Sequence, residues 1–262
     1  MAAALSFPAV TPSAPSALPD AVWRADQMGS YRSTPVPSGY RALDRELPNG
    51  GWPPSVLIEL LLAQAGIGEL RLLAPVLARL TQADQSVILL APPHMPHAAA
   101  LAALGIDLKK LILIEVEKAN DRIWAIEQTL KSASFGALLC WLPQARTDHL
   151  RRLQLAAAGG EGLTFVFRPL SAQDISSPAP LRISCQPAAS GRIALELIKR
   201  RGPVHATPLI LPLTIPEILR QPLSNRLPGK DHRHSIPDPT LYAVDRPTLA
   251  ATAARRRLTL SA

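Results

Sequence analysis

A strand-like run, a glycine turn and a helix-like stretch follow one another in LIELLLAQAGIGELRLL, residues 57–73. That order is where an α/β protein can seat a phosphate, because N–H groups of the turn and the helix N-terminus face the anion. The signature G-x-x-x-x-G-K-[ST] supplies two glycines, a lysine for the phosphate charge and a hydroxyl for Mg²⁺. Here Ala63 stands in the first glycine position, Gly68 in the second, Glu69 in place of the lysine and Leu70 in place of the hydroxyl, with Gly66 inside the turn. A carboxylate at a helix N-terminus competes with a bound anion for the same dipole. The degenerate loop Ala63, Gly66, Gly68, Glu69, Leu70 is therefore expected to serve chain geometry and to hold no cofactor.

The remaining reactive side chains have weaker patterns. His94 and His97 in PPHMPH lie three apart, but no carboxylate or thiol lies nearby and the prolines favour a surface loop; His232 and His234 flank Arg233 in the same uninformative way. No metal is expected. Cys140 and Cys185 are the two cysteines and lie in apolar stretches, which excludes a disulfide framework and a four-thiolate zinc site. Ser171, Asp174 and His205 could be combined as a hydrolase triad, but no nucleophile-elbow motif accompanies them. No catalytic residue is assigned. Trp141 ends an apolar run at the kind of position where open α/β sheets place ligands; core packing is its first expectation and a partner-facing surface the alternative. Arg151 and Arg152 begin the exposed face of a helix.

The elements that must position these residues alternate in period. Residues 55–62, 86–91, 111–116, 136–142 and 163–168 are apolar runs of strand length. Between them, residues 69–82 carry Leu70, Leu73, Val76, Leu77 and Leu80 at helical spacing, with Pro75 expected to kink or break the helix. Residues 98–104 are Ala/Leu-rich and stop at Gly105, Asn120 is expected to cap a helix running to about Ser132, and residues 147–158 form a further helix ended by Gly159-Gly160. Strands apolar on both faces and separated by helices predict a parallel sheet covered on both sides. Residues 181–186 and 192–200 alternate instead and predict a closing antiparallel hairpin.

Charge and proline are unevenly distributed. The 262 residues carry 28 Lys+Arg against 20 Asp+Glu, a net charge of +8, yet residues 1–198 hold 17 basic and 16 acidic side chains while residues 199–262 hold 11 and 4. Of 27 prolines, 18 fall in residues 1–54 or 203–262. The expected organisation is a flexible leader over residues 1–34, an α/β domain over 35–202 and an extended or disordered Pro-rich basic arm over 203–262. The polybasic Arg255-Arg256-Arg257 could contact a nucleic-acid backbone or simply solubilise the arm. The longest apolar run is too short to span a bilayer, the N-terminus lacks a basic n-region, and the thiols are unpaired, so a cytoplasmic location is expected.

The segment VPSGYRALDRELPNGGWPPSVLIEL, residues 36–60, resembles the opening of the RecA-type core, where a Ser/Thr-Gly turn, a short helix and a Gly-Gly turn precede the first strand. With GIGELRLLAP and FRPLSA, most of the chain resembles the ImuA family, RecA-related accessory proteins of bacterial damage-induced mutagenesis cassettes. FRPLSA also resembles SulA, a shorter cell-division inhibitor of the same superfamily. The resemblance implies an α/β fold with a RecA-like core, a mostly parallel sheet flanked by helices, a closing hairpin and an extended Pro-rich arm. It places RecA's phosphate-binding Lys and Thr at Glu69 and Leu70, its catalytic Glu at Pro93 and its strand-end Asp at or near Trp141, with no acid before Asp148. The implied protein is a pseudo-NTPase, since phosphoryl transfer needs all three groups. The implied function is a non-catalytic accessory factor of SOS-induced translesion DNA synthesis, binding an ImuB-type polymerase-like protein and possible DnaE-type polymerase and RecA partners, with DNA contact through the arm. The alternative is a SulA-like inhibitor of the division protein FtsZ; the chain length, residues 36–51 and the basic tail argue for the first reading.

Overall fold

A computed structural model describes residues 34–200 and 207–216. Its strands are β1 (Leu57–Leu62), β2 (Val87–Leu90), β3 (Leu111–Ile114), β4 (Ala137–Trp141), β5 (Leu163–Pro169), β6 (Leu181–Ala188), β7 (Arg192–Lys199) and β8 (Leu209–Pro212). They form one eight-stranded sheet in the order β3-β2-β4-β5-β1-β6-β7-β8. The pairings among β1 to β6 are parallel, whereas β7 runs antiparallel to both β6 and β8. Every residue of β1, β2 and β4 is buried. Their continuous apolar runs follow from helices on both faces, as parallel sheets require.

The helices are α1 (Arg41–Glu46), α2 (Glu69–Gln82), α3 (Ala98–Ala103), α4 (Ala119–Ser132) and α5 (Thr147–Ala157). Leu72, Leu73, Val76 and Leu77 of α2 pack with Ile58, Leu60 and Leu62 of β1 on one face. Ile123 and Ile126 of α4 and Leu150 and Leu153 of α5 pack with Leu57 on the other. This period-2 partition of one strand between two cores fixes the register, since a slip of one residue would exchange the faces. On β7 the pattern is instead alternating, with Ile193, Leu195 and Leu197 buried and Arg192 and Glu196 exposed, as expected for the hairpin.

Three local expectations are revised. Pro75 does not interrupt α2, which runs unbroken over 14 residues. Lacking an N–H, Pro75 leaves the carbonyl of Arg71 without its helical donor, and the Tyr40 hydroxyl donates to that carbonyl at 3.2 Å. The proline ring lies against Gly39, where φ is +91° and an added Cβ would sit 2.4 Å from Pro75 Cβ. Lys118, not Asn120, precedes the first turn of α4 in extended conformation, and it supplies no side-chain cap. Residues 209–212, assigned to the arm, are the eighth strand, paired with β7 from Arg192↔Pro212 to Leu195↔Leu209. Residues 1–33 of the leader and residues 203–206 and 217–262 of the arm, including Arg255, Arg256 and Arg257, lie outside the described residues. No helix of the described residues is long and apolar enough to cross a membrane.

The segment before β1 is built into the core. Val36 pairs with Trp52, the Asp44 carboxylate accepts from the Ser38 N–H at 2.7 Å, and the fully buried Trp52 ring meets Phe165 edge-on at 5.2 Å.

Candidate functional site

The carboxyl ends of the parallel strands form one edge of the sheet, which is where open α/β folds bind ligands. Two features occupy that edge.

The first is the loop from Ala63 to Gly68. Gly66 and Gly68 take φ of +82° and +119°, values that favour glycine, and Gly68 caps α2. The Glu69 side chain folds back into this turn. Its Oε1 accepts from the Gly66 N–H at 2.9 Å and its Oε2 from the Gly68 N–H at 3.1 Å. The carboxylate is buried, and Leu213 closes the loop from outside: a Cβ on Gly68 would lie 2.7 Å from Leu213 Cδ1. The turn therefore directs its amides at an anion that belongs to the chain itself. Leu70, in the hydroxyl position, packs against the core as a partly buried side chain.

The second is a cavity of about 570 Å³ between the ends of β1 to β5, lined among others by Ala63, Pro93, Arg122, Trp141, Phe167 and Arg168. Trp141 and Phe167 stack at 4.6 Å with an interplanar angle of 27°. Trp141 is only 6% exposed, so core packing describes it, but its edge also borders the cavity. Pro93 and Trp141, at the positions that the RecA resemblance assigns to acidic groups, both line this space, and neither carries a carboxylate; Glu115 and Glu117 line it as well. Arg122, from α4, donates to the carbonyls of Val116 at 3.1 Å and Trp141 at 3.5 Å.

Beneath the cavity lies a buried ionic cluster. Glu59, in the middle of β1 and 0% exposed, accepts from Arg168 of β5 at 2.5 Å and also from Arg182 of β6. Arg168 continues to the Ala145 carbonyl, and Arg182 to the carbonyls of Ala172 and Gln173. One carboxylate thus ties two guanidinium groups, three strands and two loops together, which offsets the desolvation that an isolated charge would suffer. FRPLSA contributes to this cluster through Arg168 and the Ala172 carbonyl. The motif is thus a structural clasp. Sequence reasoning missed the cluster; the one available signal was an acid inside an otherwise apolar strand.

The other expected residues fall as follows. His97 caps α3 by accepting from the Ala100 N–H at 3.1 Å, and among the described residues no group of three His, Cys, Asp or Glu could hold a metal ion. Cys140 is fully buried, and burial pushes its thiol up to about 12. Cys185 is pushed up too, by burial first and then by the charge of Glu69. Arg152 pairs with the exposed-face Glu127, Arg151 is exposed, and Asp148 pairs with Arg146 at 3.3 Å. His205 lies outside the described residues.

Comparison with known proteins bears on this same stretch. The family model "Cell division inhibitor SulA" matches residues 58–164, from β1 into β5. The chain is similar to SulA there. The SulA of Edwardsiella piscicida is 29% identical over 98 residues, covering 37% of this chain and 58% of that protein. Those of Yersinia pestis (strain Pestoides F) and Yersinia pseudotuberculosis serotype O:1b (strain IP 31758) are each 28% identical over 107 residues, 41% of this chain and 64% of theirs. The chain thus spans about three-fifths of the length of these curated relatives.

These similarities correct the expected function. The translesion accessory reading is overturned, because the matching family and the curated relatives are described as cell division inhibitors. The features weighed for the translesion reading, residues 36–51 and the basic tail, lie outside the matched residues 58–164. The ImuB-type, DnaE-type and RecA partners were expected only as part of that reading and are not carried forward.

Proposed function

We propose that this protein is a SulA-like inhibitor of bacterial cell division, made in the SOS response and acting in the cytoplasm by binding FtsZ. The observation that carries the reading is the SulA match over residues 58–164, which covers β1, α2, the cavity edge and most of the parallel sheet. The strand, glycine turn and helix at β1–α2 support a RecA-like core beneath it. The inhibitor acts by occupancy and not by turnover. Glu69 stands where the phosphate-binding lysine would be, and its carboxylate occupies the Gly66 and Gly68 amides that a phosphate would need.

Controlled expression of the full chain in a rod-shaped bacterium tests this. The expected outcome is filamentous cells with regularly spaced, intact nucleoids. Cells of normal length at an expression level confirmed by immunoblot would refute it.

A further inference from the structure

The two edges of the sheet differ in how they are protected. β8 has Pro208 just before it and Pro212 as its last residue, and proline on an edge removes donors that a further strand would need. β3, at the opposite edge, pairs among the described residues only with β2, in an unbroken parallel register from Val87↔Leu111 to Leu90↔Ile114. No proline occurs between His97 and Leu142, and no bulge interrupts the strand. Its sequence, LILI, is nonetheless wholly apolar. Ile112 is 44% exposed and Leu113 37%, with Leu108 just before the strand at 39%. An uncovered, unguarded apolar edge is a template for pairing with another chain.

The direction of the main-chain groups fixes which of them are free. The Ile114 carbonyl accepts from the Ala91 N–H at 2.8 Å, so the polar groups of Ile114, and of Ile112 two residues earlier, point toward β2. Those of Leu111 and Leu113 point outward from the sheet. The side chains divide in the same alternation. Leu111 packs against the core on the α2 face and Ile114 against the core on the α4–α5 face, so Leu113 shares the first face and Ile112 the second. The two ends of the strand carry opposite charge. Lys109 precedes it, exposed and in no ion pair among the described residues, while the exposed Glu115 and Glu117 follow it. The other charges at the amino end are spoken for: Asp107 accepts from the Lys109 N–H at 3.0 Å, and Lys110 pairs with Asp84 at 2.5 Å.

From these features we propose that β3 is a self-association edge, through which two copies of this chain pair antiparallel about a two-fold axis at Ile112. Leu111 and Leu113 of one copy exchange main-chain hydrogen bonds with Leu113 and Leu111 of the other, which uses the outward-pointing groups of both strands. Ile112 meets Ile112 of the other copy at the close, non-hydrogen-bonded position of the ladder, where side chains approach most nearly. The same register brings Lys109 of each copy to the end of the other strand that carries Glu115. A parallel pairing would set like charges side by side, so the charge order selects the antiparallel one. The patch is self-complementary, as a two-fold interface requires. The association rests on the strand's own groups and not on the division reading.

Sedimentation equilibrium of the full chain over a concentration series tests this, with circular dichroism confirming that each variant is folded. The parent is expected to show a reversible monomer–dimer equilibrium. Ile112→Lys is expected to raise its dissociation constant at least about a hundredfold, because each dimer loses two apolar side chains and gains two like charges at the axis. Lys109→Glu and Glu115→Lys are each expected to weaken the dimer several-fold, and the two together to restore it. Ile112→Cys is expected to yield a disulfide-linked dimer on mild oxidation, since Cα atoms about 4.5 Å apart lie within the roughly 4.4–6.8 Å that a disulfide spans. Leu113→Cys, whose thiol would face Leu111 of the other copy, is expected to cross-link less; Cys140 and Cys185 are buried and do not compete. A monomer at every concentration, a dimer unchanged by Ile112→Lys, a double charge variant no tighter than the weaker single one, or stronger cross-linking at Leu113→Cys than at Ile112→Cys would each overturn the proposal. None of these assays contains FtsZ, so failure here and failure of the inhibitor reading are distinguishable.

Discussion

The two features on the carboxyl edge of the sheet solve the same electrostatic problem in opposite ways. In the loop before α2, amides aimed at an anion are satisfied by Glu69 of the same chain, at 2.9 and 3.1 Å. Beside the cavity at the ends of β4 and β5, Trp141 Nε1, Arg122 Nε and Arg168 Nε are buried with no acceptor among the described residues. The amides of the loop are occupied from within the chain, while donors beside the cavity are not.

The largest perturbation of this contrast comes from beneath the cavity. Glu59→Ala leaves the guanidinium groups of Arg168 and Arg182 buried without their shared carboxylate. A loss of about 3–5 kcal/mol is expected, and urea denaturation measures it. A smaller change converts the closed region into an open one. Glu69→Ala strips the acceptor from two turn amides, with an expected loss of about 1–3 kcal/mol, and frees the turn for solution anions. Sulfate should then raise the melting temperature of the variant more than that of the parent, beyond its general stabilising effect; equal sulfate effects would show that the carboxylate is not what closes the loop.

Tyr40→Phe addresses the helix that the loop leads into. It removes the donor to the Arg71 carbonyl that Pro75 leaves open, for an expected loss of about 0.5–1.5 kcal/mol by urea denaturation. Burial raises the Tyr40 hydroxyl above its ordinary value, opposed in part by Arg71. The folded state therefore holds this proton more tightly than the unfolded state. Its contribution is complete below the unfolded tyrosine value of about 10 and declines as pH rises past it. The smallest effect is expected at the surface Arg152–Glu127 pair: Arg152→Ala should cost less than about 1 kcal/mol by urea denaturation, since Glu127 keeps Lys131 as a second partner.

Much of the fold was legible because it rests on period. The apolar runs that become β1, β2, β4 and β5 are buried on both faces, and α2 spans residues 69–82 as its apolar spacing predicts. What escaped depends on distant partners. β8 is four residues with a proline at its end, and only pairing to β7 makes it a strand. Asn120 carries the side chain of a cap, yet the chain enters α4 one residue earlier, at Ala119. The degenerate loop could be read as a charge inversion at Glu69, but the return of that carboxylate onto Gly66 and Gly68 is a three-dimensional fact. Glu59 meets Arg168 and Arg182 across 109 and 123 residues of sequence, and Arg122 reads locally as an ordinary polar residue of a helix. The function was misassigned for a related reason: weight was given to segments outside the stretch that carries the SulA similarity.

The central claim is inhibition by binding. Purified full chain titrated into GTP-driven FtsZ assembly, followed by sedimentation of polymer, tests it most directly. The account predicts loss of pelleted FtsZ as the added protein approaches equimolar amounts, with no ATP required and no change when Glu69 is replaced by Gln. Undiminished polymer at a large molar excess of the folded protein would contradict it.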